Sequence, residues 1–119
     1  MKKKVDLQRL NRQDLVALQD LKEFMLVHLH TPLTLALLRK QTTLSKYKIK
    51  GGFAQLFGVT VADFLLQARM EKARALLLQN EKPLKEIAGL VGFKNSKSFH
   101  RSFRKYFGVT PGDILRQSL

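Results

Sequence analysis

Phe53-Ala54-Gln55-Leu56-Phe57-Gly58-Val59-Thr60-Val61-Ala62-Asp63-Phe64-Leu65 recurs fifty residues later as Phe103-Arg104-Lys105-Tyr106-Phe107-Gly108-Val109-Thr110-Pro111-Gly112-Asp113-Ile114-Leu115. Seven of the thirteen positions are identical at that fixed offset, so one supersecondary unit is used twice. The shared residues have local meanings. Gly58 and Gly108 follow amphipathic runs and suit the left-handed position that ends a helix. Thr60 and Thr110 suit N-caps, each with an aspartate three residues on, a relative of the capping box. Pro111 suits the first helical position, where its missing N–H has no helical partner. Each copy therefore predicts a helix end, a tight turn and the start of the next helix.

Working outward from the repeat, no stretch alternates in the manner of a strand, and the chain reads as all-α. Asn11, with Asp14 at N3, opens a first helix running to about His30, with Leu15, Leu18, Leu21, Met25 and Leu29 inward and Pro32 as the break. Thr34 caps a second helix ending near Gln41, and Ser45 caps a third over residues 46–57. Thr60 opens a long helix to about Gln79, roughly 30 Å in length. Its expected apolar stripe is Val61, Phe64, Leu65, Ala68, Ala73 and Leu76. Asn80 and Pro83 stop it. A fifth helix covers about Leu84–Leu90, a sixth Ser96–Phe107, and residues 113–117 form a short terminal turn. The two short pairs, 34–41 with 46–57 and 84–90 with 96–107, have helix-turn-helix spacing, in which the second helix enters a DNA major groove. The expected organisation is a tail or linker remnant over 1–12, a first subdomain over 13–59, a linker helix over 60–80 and a second subdomain over 81–119.

Charge narrows the partner. The 119 residues hold 22 lysines and arginines against 9 acidic residues, a net charge of +13. An excess of that size points to a polyanion, duplex DNA first and an anionic membrane surface second. The absence of cysteine excludes disulfide scaffolds, thiolate zinc sites and cysteine nucleophiles, and fits a reducing, cytoplasmic compartment. The longest uncharged run, Phe24 to Leu38, is shorter than the roughly 20 apolar residues of a membrane span.

If Ile49 and Phe53 point inward, the opposite face of the third helix carries Tyr47, Lys50, Gly51 and Ala54, flanked by Lys46 and Lys48. If Phe99 and Phe103 point inward, the sixth helix turns Lys97, His100, Arg101 and Arg104 outward. Residues 39–50 carry five basic side chains and no acidic one, as do residues 94–105. Arginine and lysine donate to guanine O6 and N7, and Asn95, Ser96, Ser98 and His100 have groups that reach base edges or phosphates. The competing reading, a solvated face of an amphipathic helix, holds about as well for any one basic residue but poorly for two matched clusters.

The stretch Pro83-Leu-Lys-Glu-Ile87-Ala88-Gly-Leu-Val-Gly92-Phe93-Lys-Asn-Ser-Lys-Ser-Phe99-His-Arg-Ser-Phe103-Arg-Lys-Tyr-Phe107-Gly108-Val-Thr110-Pro111 resembles the signature of the AraC/XylS family of transcriptional regulators. Arg69-Met-Glu-Lys-Ala73-Arg-Ala-Leu76 is similar to that family's linker helix, and the likeness covers about residues 13–117. The resemblance implies two homeodomain-like three-helix units on one linker helix, with recognition helices in successive major grooves. It also implies base contacts from Tyr47, Lys50 and Gly51 in the first unit and from Ser96, Lys97, His100 and Arg101 in the second. Three departures fall in the first unit: Arg39 where a small residue is usual (Ala88 in the second unit), Thr43 where a turn glycine is usual (Gly92), and Gly51 where Arg101 stands in the second. Gly51 and Gly52 each weaken the third helix by about 1 kcal/mol. The first unit is therefore expected to read fewer bases.

Enzymatic chemistry finds no support. His28 and His30 diverge by about 200° on a helix and cannot share a ligand, so no metal or cofactor is expected. Double-stranded DNA is the expected partner and RNA polymerase a second one, for an activator. The chain is expected to be either a complete regulator or the C-terminal part of a longer protein with a preceding sensor. The rival function is a basic amphipathic module on a membrane surface or adaptor.

Overall fold

The computed structural model describes residues 9–117, in which every regular element is a helix. α1 spans Arg12–Val27. Its start is a complete capping box: the Asn11 side-chain oxygen accepts from the Asp14 N–H at 2.8 Å, and the Asp14 carboxylate accepts from the Asn11 N–H at 3.0 Å. The helix ends three residues short of the expected His30, well before Pro32. His28 is its C-cap and turns its ring back, with Nδ1 2.8 Å from the Phe24 carbonyl oxygen and the imidazole stacked on the Phe24 ring. Leu18, Leu21, Met25 and Leu29 are buried as expected, whereas Leu15 is 39% exposed.

α2 is Leu35–Lys40, capped by Thr34, whose hydroxyl accepts from the Leu37 N–H. α3 runs over residues 46–57 and departs from the regular helix expected there. Lys48–Gly52 is π-helical and leads into α-helical Phe53–Phe57. The glycines fall inside this wider stretch. Gly52 is buried, and a Cβ there would lie 3.1 Å from Leu18 Cδ1 and 3.2 Å from Leu10 Cδ2. Glycine at 52 thus lets α3 press its backbone onto the α1 side chains, a packing reason that offsets its weak helix propensity.

α4 is Val61–Gln79, α5 Leu84–Leu90, α6 Ser96–Phe107 and α7 Pro111–Gln117. The terminal turn expected over 113–117 is thus a two-turn helix that begins at Pro111. Both repeat glycines adopt the left-handed conformation, Gly58 at φ 77° and Gly108 at φ 78°. Both threonine hydroxyls accept from the N–H of the aspartate three residues on, at 3.1 Å in each copy. In the second copy the Asp113 carboxylate also accepts from the Thr110 N–H at 2.9 Å; this bond first, then the Thr110 hydroxyl and Arg116 beside it, hold its pKa below the usual carboxylate range. Asn80 ends α4 at φ 53°, the left-handed role that asparagine tolerates better than most side chains.

The chain forms two compact units. One comprises the described residues through His28 together with Leu33–Leu65; the other takes Leu29–Pro32 and the residues from Leu66 onward. The division falls inside α4. Its first residues, to Leu65, belong to the first unit and the remainder to the second. No single apolar stripe runs its length. Leu65 is buried in the first unit and Met70, Ala73 and Leu77 in the second, while Val61, Phe64, Ala68 and Leu76 are half-buried.

The second core gathers Met70, Ala73, Leu77, Ile87, Ala88, Val91, Phe99 and Phe103. α5 closes with a Schellman motif: the Phe93 N–H donates to the Ala88 carbonyl at 2.9 Å and the Gly92 N–H to the Gly89 carbonyl at 3.1 Å. Gly92 sits at φ 94°, and a Cβ there would meet the Leu29 carbonyl oxygen at 2.2 Å. The same Leu29–Pro32 strap is held by Arg69, whose guanidinium donates to the Thr31 carbonyl at 3.0 Å.

Candidate nucleic-acid interface

In the second unit the rotation of α6 is fixed by its aromatic side. Phe99 and Phe103 are fully buried, with ring centroids 5.7 Å apart, and Phe93 and Phe107 extend the row at 5.6 and 4.6 Å. Four aromatic rings in register admit one angular setting of the helix, because interior packing leaves no room for another. The opposite face is then determined. Lys97, His100, Arg101 and Arg104 are all exposed and recur at the three- and four-residue spacing of one helical stripe. An open groove beside this stripe is lined by His100, Arg101, Arg104, Lys105 and Gly108. Lys105 was not singled out from the sequence, although it belongs to the basic run over 94–105.

The polar candidates at the start of α6 have structural duties. The Asn95 side-chain oxygen caps the helix, accepting from the Ser98 N–H at 2.8 Å and from the Ser98 hydroxyl at 3.0 Å. Ser98 is thus turned toward the cap, and Asn95 has only its amide N–H groups left to present. Ser96, the first helical residue, is half-buried.

The first unit presents a narrower face. Ile49 and Phe53 are fully buried, and the Phe53 ring lies 4.6 Å from Phe57 and 5.5 Å from Phe64. Lys46, Tyr47 and Lys50 are exposed, Tyr47 by 67%. The Lys46 ammonium stands 5.2 Å from the Tyr47 ring centroid, a cation–π distance. Gly51 and Ala54 are half-buried. A uniform turn of 100° per residue does not hold through the π-helical stretch, which brings Gly52 into the core and Gly51 to its edge.

Lys48 does not join the outward set. Its ammonium is 2.9 Å from the Asp14 carboxylate, which is itself buried. This hydrogen bond, with the Asn11 N–H second, holds the Asp14 carboxyl below its ordinary pKa. One aspartate therefore caps α1 and anchors α3 to it. No sequence periodicity signals a pairing across 34 residues. Arg39 is exposed, whereas Ala88 in the second unit is fully buried in its core.

Among the described residues no His, Asp and Glu side chains are grouped to hold a metal ion, and no single helix is long and apolar enough to cross a membrane.

A helix-turn-helix domain model matches residues 38–117 of the chain. The regulatory protein SoxS of Escherichia coli K12 is 30% identical over 96 residues, covering 81% of this chain and 90% of SoxS. The transcriptional activator AggR of Escherichia coli is 34% identical over 82 residues, 69% of this chain but 31% of AggR, so the chain spans about a third of that relative. The C-terminal domain of AraT, a response regulator from Geobacillus stearothermophilus, superposes with a TM-score of 0.80 at 29% identity, over 92% of this chain and 88% of that one. Two helix-turn-helix units with the repeat's caps and turns, a family model spanning well over half the residues, and relatives that are transcriptional regulators give one assignment: the chain belongs to the AraC/XylS family of helix-turn-helix transcriptional regulators.

Proposed function

We propose that the protein binds specific duplex DNA sequences in the cytoplasm and regulates transcription, with α3 and α6 as the recognition helices. The observation that carries this reading is the α6 face: buried Phe99 and Phe103 oblige Lys97, His100, Arg101 and Arg104 to project together, with no acidic side chain among residues 94–105. Arg101 is assigned bidentate contact with guanine in the major groove; Lys97, Arg104 and Lys105 are placed for phosphates, and His100 for a base edge. In the first unit Lys46 and Lys50 take phosphates or guanine, and Tyr47 and Gly51 approach the bases. Lys48 serves its own unit through Asp14. As an activator the protein would also touch RNA polymerase, and in a longer chain a sensor would precede this domain.

The experiment is selection from a random duplex library, followed by titration of the selected site across salt concentrations. A recovered consensus and a steep fall of log K with log salt, about 0.9 per neutralised phosphate, are expected. Equal affinity for selected and scrambled duplexes, or tighter binding to phosphatidylserine vesicles than to either, would overturn the reading.

A further inference from the structure

The first unit contains a cavity of about 380 Å³ beside the Lys50 side chain. Its walls are mainly aliphatic, with Leu33, Leu35, Leu38, Val61 and Leu65 among the lining residues. Two polar side chains reach it, Lys50 and Thr60, and Lys50 is the one charged group among the described lining residues. The Thr60 hydroxyl accepts from the Asp63 N–H and keeps its own proton to donate to a ligand. The size lies within the roughly 300–1,000 Å³ of small-molecule sites, which pair an apolar lining with a few polar groups that orient the ligand. An ammonium and a hydroxyl donor, with no carboxylate in the lining, select a negatively charged head group. The leucines select an apolar body.

We propose that this cavity binds a small amphiphilic carboxylate, its body among the leucines and its head group on the Lys50 ammonium and the Thr60 hydroxyl. Lys50 is also assigned to DNA, so carboxylate and phosphate compete for one ammonium and occupancy weakens DNA binding. This coupling rests on the proposed DNA reading; the pocket itself does not. The alternative occupant is the stem of Lys50, whose methylenes can cover the leucines while the ammonium stays in water.

Methyl NMR of the whole chain titrated with sodium octanoate, and separately with octan-1-ol, tests the proposal. Octanoate should saturably shift the methyl signals of Leu35, Leu38 and Leu65 and bind at least about tenfold more tightly than the alcohol. Lys50→Gln should bring octanoate down to the affinity of octanol, and Ala62→Leu, which narrows the cavity, should weaken both while leaving the helical circular dichroism unchanged. Equal affinity of the two probes for the wild type, or shifts confined to α6, overturns the site. Octanoate should also raise the Kd for the selected duplex in the wild type and not in Ala62→Leu. If octanoate binds without affecting DNA although Lys50→Gln weakens DNA binding, the coupling fails. If Lys50→Gln leaves DNA binding unchanged, it is the DNA role of Lys50 that fails, and the pocket stands.

Discussion

The two copies of the repeat agree at their caps and differ in the turn between their helices. α2 ends with the Gln41 N–H reaching back to the Leu38 carbonyl, and Leu44 N–H then donates to the Thr42 hydroxyl. α5 ends in the left-handed Gly92 of a Schellman motif and is one residue longer than α2, seven residues against six, while five residues separate the two helices in each copy. Thr43, at the position matching Gly92, does not adopt a positive φ. Leu38 and Ile87 occupy corresponding buried positions, but the following residue is exposed Arg39 in one copy and buried Ala88 in the other. The recognition helices differ likewise. α6 is regular, capped by a side chain and set by an aromatic row, whereas α3 widens at its glycines and is tied to α1 by Lys48 and Asp14. The same local signals thus support two packings, and the tertiary partners decide which: the Leu29 carbonyl at Gly92, Leu18 and Leu10 at Gly52.

The turns give the largest expected contrast. Gly92→Ala places an L-residue at φ 94° with its Cβ against a backbone oxygen. We expect it to destabilise the second unit by about 3 kcal/mol or more. Thr43→Gly should cost the first unit less than about 1 kcal/mol. Comparable losses for the two in chemical denaturation, followed through methyl signals of each core, would erase the distinction between the turns.

The recognition faces come next. Arg101→Ala should weaken binding to the selected duplex by about 1–3 kcal/mol and relax base preference. Lys50→Ala should cost less and leave preference nearly intact. Equal losses in a competition titration at fixed salt would make the faces equivalent.

A smaller effect sharpens the picture within one turn. A Cβ at Gly89, three residues before Gly92, meets nothing within 4 Å, so Gly89→Ala should raise the stability of the second unit by about 0.5–1 kcal/mol. A loss of melting temperature would contradict this.

The smallest concerns acid. Asp14 has a depressed carboxyl pKa, so its contribution is fully present above the unfolded value of about 3.9 and is lost as pH falls through the lower folded value. The first unit should therefore lose stability below about pH 4, and Asp14→Asn should flatten that limb. An unchanged acid limb in the variant would remove Asp14 from the account.

Much of this architecture is legible in the residues because the signals are local. Asn11, Thr34, Ser45, Thr60 and Thr110 cap where the sequence places them, and α5 and α6 run over the predicted spans. The buried sides of both recognition helices, Ile49 with Phe53 and Phe99 with Phe103, also follow from periodicity alone. What periodicity cannot carry is the rest. The π-helical stretch depends on how close α1 stands to Gly52, a distance the sequence does not encode locally. Met70 and Leu77 escape a stripe counted from Val61 because α4 serves two cores. Lys48 looks like any other lysine of a basic run until Asp14, 34 residues away, is found beside it.

The Leu29–Pro32 strap has a consequence for how this molecule can be divided. Four residues from the N-terminal half complete the fold of the second unit, behind Gly92 and under Arg69. A fragment excised from residue 60 onward would carry the whole signature of the second copy and still lack part of its own wall. The same holds for chimeras of two regulators joined at the long helix, in which the grafted module would meet a strap from the wrong parent. Recombination between relatives should succeed when residues 29–32 travel with the C-terminal module and fail when they stay behind.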